Sequence, residues 1–118
     1  LMGGPGESSA TVAESLDHIE RLERTALFFF VGIRIYPGTA LYDMAIEEGK
    51  ISGETDMLEP VFYQADAIDR EQIEAMVRSR AGKRINWVVG SGGAQSAAMV
   101  KKLYERGFSG PLWEFLVG

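Results

Sequence analysis

Residues 1–42, LMGGPGESSATVAESLDHIERLERTALFFFVGIRIYPGTALY, decide how this chain folds. They read as the end of a strand at Leu1-Met2, a glycine turn, an amphipathic helix and a buried strand. A second turn at Pro37-Gly38 then leads into another helix. A strand–helix–strand crossover is how parallel sheets are assembled, so the fold class is α/β. Both turns then lie at the carboxyl ends of their strands, where α/β proteins bind ligands. Gly3, Gly4 and Gly6 permit positive φ and close approach of a ligand. The helix start beyond them offers unpaired N–H groups to an anion or a ribose. Such a turn also serves simply to join a strand to a helix, and glycine content alone leaves both readings standing.

Ser8 or Ser9 is placed to cap the first helix, and Thr11-x-x-Glu14 offers a capping box one turn later. Val12, Leu16, Ile19 and Leu22 form one apolar stripe. His18, the only histidine, falls among Glu14, Asp17, Arg21 and Glu23 and reads as a surface residue. The run from Ala26 to Ile35 is apolar on both faces, as a central parallel strand should be. Alternation places Leu27, Phe29, Val31, Ile33 and Ile35 on one face, and Phe28, Phe30, Gly32, Arg34 and Tyr36 on the other. The second face changes from bulky apolar groups to Gly, Arg and Tyr towards its carboxyl end. Gly32 leaves room there, Arg34 supplies a bidentate donor for carboxylate or phosphate, and Tyr36 supplies a ring and a hydroxyl. The competing reading is a strand running out into solvent with Arg34 hydrated.

Thr39 is placed to cap the next helix, Leu41, Met44 and Ala45 form its buried edge, and Gly49 ends it. Glu47, Glu48 and Glu54 read as a solvated face rather than a metal site. An irregular link over 50–60 is followed by a short extended segment, Val61-Phe62-Tyr63. Asp69-x-x-Gln72 resembles a capping box for a helix burying Ile73, Met76 and Val77. Asn86-Trp87-Val88-Val89 is a second apolar run, Ser91-Gly92-Gly93 a turn, and about 94–106 a helix stopped by Gly107. Pro111 opens a last helix whose Trp113, Phe115 and Leu116 need a surface to pack on.

The chain has 118 residues, enough for a modest core, with 46% hydrophobic and 25% charged residues. A net charge of −5 without clustered Lys and Arg argues against a nucleic-acid partner. No apolar run approaches the roughly 20 residues that span a bilayer. The absence of cysteine excludes disulfides and is compatible with a cytoplasmic location.

The pairing of LMGGPGES with FFFVGIRIYPGTALYDMAIEEGKI, followed by LEPVFY, resembles the late barrel strands of radical S-adenosylmethionine enzymes. Within that superfamily it is most similar to the cobalamin-binding branch. That branch includes the anaerobic magnesium-protoporphyrin IX monomethyl ester oxidative cyclase and lipid-biosynthesis-type relatives. The resemblance implies a partial parallel (β/α) barrel over 1–50 and a mainly helical C-terminal extension over 51–118. It implies that Leu1, Met2, Gly3 and Gly4 lie along the adenosine or methionine moiety, with Gly6 folding the turn. Ile35 and Tyr36 would approach the adenine or substrate, and Arg34 is the candidate for a substrate or carboxylate contact. The parent's cofactors would be S-adenosylmethionine, a 4Fe–4S cluster and cobalamin. A cluster needs thiolates, and this chain has no cysteine. The expectation is therefore a C-terminal fragment, without catalytic or metal-ligating residues of its own and inactive alone.

Two other classes compete: a small α/β module holding a phosphate or nucleotide on GGPGES, and an interaction domain. An excised strand–helix–strand unit has unpaired apolar edges, which favours a homo-oligomer joined through Phe28, Phe29 or Phe30.

Overall fold

The computed structural model describes residues 1–90 and 93–117. In chain order its elements are α1 (Ser9–Ile19), β1 (Leu27–Phe29), β2 (Ile33–Arg34), α2 (Ala40–Glu47) and β3 (Phe62–Tyr63). They continue with α3 (Arg70–Ala81), β4 (Trp87–Val89), α4 (Gly93–Glu105) and α5 (Leu112–Val117). Ser91 and Gly92, read from the sequence as part of a turn, lie outside the described residues.

The α/β class stands, and the parallel sheet is open rather than closed into a barrel. β1 pairs in parallel with β4, Leu27 against Trp87 and Phe29 against Val89. Its even-numbered backbone groups face the other way. Met2 donates its N–H to the Phe30 carbonyl at 2.8 Å and accepts from the Gly32 N–H at 2.7 Å, a parallel bridge centred on Val31. The segment 27–31 is therefore the middle of three parallel stretches, as the crossover argument requires.

Two expectations need correction. The run from Ala26 to Ile35 is not one strand, because Gly32 at φ 91° turns the chain. Ile33 and Arg34 leave the parallel sheet and pair antiparallel with Tyr63 and Phe62. Nor does the part after residue 50 stand apart as an extension: it is mainly helical, but β4 supplies an edge of the parallel sheet. The main core crosses that boundary: Met2, Val12, Leu16, Phe29 and Val31 pack with Ile68, Ile73, Val77 and Trp87.

α1 and α3 lie side by side on one face of the sheet, contributing Val12 and Leu16, and Ile73 and Val77. Ser8 resolves the choice of cap: its Oγ accepts from Thr11 N–H while Thr11 Oγ1 accepts from Ser8 N–H. Asp69 and Gln72 form the same reciprocal box on α3. Arg80 ties the two helices by reaching Asp17 at 2.6 Å and Glu20 at 3.4 Å. The stripe ends earlier than its spacing suggests, for α1 stops at Ile19 and Leu22 is half exposed. Because both helices cover the odd-numbered face, Phe29 and Val31 are buried, while Ile35, beyond the Gly32 turn, is buried in a separate core. Phe28, Phe30, Arg34 and Tyr36 are exposed, so the strand is covered on one face and not on both.

A smaller core of Ile35, Ala45, Ile51, Tyr63 and Ala65 joins α2 to β3. Thr39 caps α2 and Gly49, at φ 72°, follows its end. Among the described residues, no side chain of α4 or α5 belongs to either cluster, and Phe108, just beyond α4, makes an edge-to-face contact with Phe115 of α5 at 6.2 Å. Among the described residues no helix is long and apolar enough to cross a membrane.

Candidate functional site

Three carboxyl ends of parallel segments share one edge of the sheet, each followed by a glycine with positive φ. These are Gly3 at 88°, Gly32 at 91° and Gly90 at 63°. A strap over residues 61–65 crosses the first two. The Val61 carbonyl accepts from Ile35 N–H at 2.8 Å, β3 pairs with β2, and Ala65 N–H donates to the Gly3 carbonyl at 2.8 Å. This gives Gly32 a different purpose from the one expected of it. A Cβ there would lie 3.2 Å from Phe62 Cβ, so the space it leaves is taken by the strap and not by a ligand. At Gly3 a Cβ would come within 2.9 Å of the Gln64 amide for the same reason.

The first turn also inverts its expected chemistry. The N–H groups of Gly3 and Gly4, in the turn expected to let a ligand approach the backbone, both point to Glu7 Oε2, the second at 3.2 Å. The chain's own carboxylate thus occupies the place of an anionic ligand. A Cβ on Gly4 would meet Ile33 Cδ1 at 2.9 Å, whereas Gly6 has open space and serves only its φ of 77°. The reading of Gly6 as a folding residue therefore agrees with its geometry.

The other sequence-derived site residues divide by burial. Met2 and Ile35 place their side chains in the two cores, facing away from the open side of the sheet. Leu1, Arg34 and Tyr36 are exposed, with the Arg34 guanidinium 5.0 Å from the Tyr36 ring centroid. Leu1, Gly4, Gly6 and Glu7 border a shallow groove of about 300 Å³. Leu1 also borders a second groove of about 320 Å³ with Phe30, Gly32, Arg34, Phe62 and Arg70. Arg70 is a residue that sequence reasoning missed, because its Nη2 reaches back 39 positions to the Val31 carbonyl at 3.1 Å.

Beside the strap, the Tyr63 hydroxyl donates to Glu48 Oε2 at 2.7 Å. Lys50 Nζ donates to the Gln64 carbonyl at 2.7 Å and to Asp66 at 2.6 Å, and sits 4.9 Å from the Tyr63 ring centroid. The hydrogen bond to Glu48, with burial and the negative charge of Glu48 and Asp66, pushes the Tyr63 pKa up to about 12. Glu48, read as part of a solvated acidic face, therefore has a defined internal partner. These contacts fasten the strap to the end of α2.

The residues present do not fit an iron–sulfur cluster, for the chain offers no thiolate. What they can do is bind. One exposed guanidinium beside aromatic rings, at the carboxyl edge of a parallel sheet, suits an anionic group on an apolar body. Compared with protein-family models, curated proteins and solved structures, the chain matches none.

Proposed function

We propose that this chain is the substrate-side part of a radical S-adenosylmethionine enzyme of the cobalamin-binding branch. The enzyme would carry out radical oxidative cyclisation or methyl transfer on a porphyrin-like or lipid-like substrate. The observation that supports the reading is that the GGPGES turn and the Gly32 bend leave the carboxyl edge of one parallel sheet side by side, with the strap that begins in LEPVFY crossing both. Two of the motifs and the bend between them thus meet at one edge, where barrel enzymes place their chemistry. S-adenosylmethionine, when bound, supplies the radical source. The residues here contribute an open aromatic face and the Arg34 fork, while the cluster is held by cysteines outside these residues. Self-association through the uncovered face belongs to the same reading, because that face lacks the neighbours a complete barrel would provide.

The competing phosphate-module reading is weakened by Glu7, which already satisfies the glycine amides. The reading of the gene upstream of Leu1 tests the proposal. A C-x-x-x-C-x-x-C motif in the preceding coding sequence is expected, and its absence would overturn the assignment.

A further inference from the structure

The groove at the carboxyl end of β1 is apolar on Leu1, Phe30 and Phe62 and carries Arg34, Arg70 and Glu74 on its rim. Glu74 is engaged by Arg78 at 3.2 Å and lies 4.0 Å from Arg70. Arg70 is anchored by the Val31 carbonyl, just beyond the point where pairing with β4 ends at Phe29. Arg34 has no carboxylate partner among the described residues. Its guanidinium lies against Tyr36, which steadies the group and leaves N–H donors for another partner. Because Glu74 is already paired with Arg78, Arg34 and Arg70 leave the groove net positive, in a chain whose net charge is −5.

We propose that this groove binds a small aromatic carboxylate. The fork of Arg34 takes the carboxylate, Phe30 and Phe62 flank the ring, and Arg70 adds a second positive charge. A volume of about 320 Å³ is near the lower end of small-molecule sites and suits a one- or two-ring body. The planar Arg34 fork matches a carboxylate through two parallel hydrogen bonds. The inference needs only this groove and not the radical chemistry, so the failure of either reading leaves the other standing.

The test is titration of the 118-residue chain with 2-naphthoate, 2-naphthamide and 2-naphthyl phosphate, followed by amide chemical shifts. Naphthoate should saturate shifts at residues 30–34 and 62, with the neutral amide binding about tenfold more weakly. Arg34→Gln should weaken naphthoate about tenfold, Arg34→Lys less, and Arg70→Gln about threefold. Phe62→Ala, at an exposed side chain that does not threaten folding, should weaken naphthoate and naphthamide alike. Equal affinity for naphthoate and naphthamide, no saturable binding, or insensitivity to both Arg34→Gln and Phe62→Ala would overturn the proposal. Tighter binding of the naphthyl phosphate would overturn the carboxylate assignment.

Discussion

Tyr63 shows how a single residue fastens the strap, and it sets a pH limit on the fold. Its folded pKa of about 12 lies above the ordinary value of 10.0, because the neutral hydroxyl is the form that donates to Glu48. The resulting stability is fully present below pH 10 and is lost as pH rises through 12. Absorbance titration should therefore show one of the four tyrosines ionising late, and Tyr63→Phe should remove that late phase. Ionisation of all four near pH 10 would contradict the Glu48 contact. The glycines separate strain from crowding. Gly6→Ala should cost about 1–2 kcal/mol through φ alone, and Gly32→Ala about 2–4 kcal/mol because Phe62 also stands in the way. Urea unfolding measures both, and equal losses would remove the strap from the argument. Glu7→Ala should cost about 1.5–3 kcal/mol by stranding two amides, with Glu7→Gln restoring part. The Glu7 contact had a local signal, a carboxylate four positions after a glycine with two free amides. Arg70 had none, since its partner is settled only when α3 docks beside β1.

At the scale of elements, the helices were readable because their caps and stripes are local. Ser8, Thr39, Asp69 and Gly49 act where the spacing places them. The strands were less readable. The run Ala26 to Ile35 reads as one extended stretch despite its change of character at Gly32, and only the close approach of Phe62 reveals why the strand breaks there. Val88 and Val89 look the same as an isolated extended stretch or as a parallel edge, and pairing with residues some 60 positions away decides between them. The expected role of Phe29 in self-association is corrected by its burial against Trp87, with ring centroids 5.0 Å apart. Phe28 and Phe30 remain exposed at 41% and 45%. Association of the chain should then run through the Phe28 side of the sheet. Light scattering should give at least a dimer at high concentration, and Phe28→Glu should give a monomer. A monodisperse wild-type monomer would contradict this.

Taken whole, the molecule measures 51 × 32 × 20 Å with a radius of gyration of 17.0 Å, against about 13.5 Å for a compact domain of this length. Among the described residues, no side chain of α4 or α5 belongs to either core cluster. Amides of α4 should exchange with solvent at least about tenfold faster than those of α1 and α3. Equal protection would mean that the hairpin shares the main core. The remaining sheet has one face covered by helices and the other uncovered, with its glycine turns gathered at one edge. Under the proposed function this half-covered sheet is the side that faces a substrate, and that proposal has a direct chemical readout. The full gene product, reduced anaerobically with S-adenosylmethionine, should release 5′-deoxyadenosine. If the full product retains S-adenosylmethionine intact under those conditions, or carries no three-cysteine motif, the account is wrong.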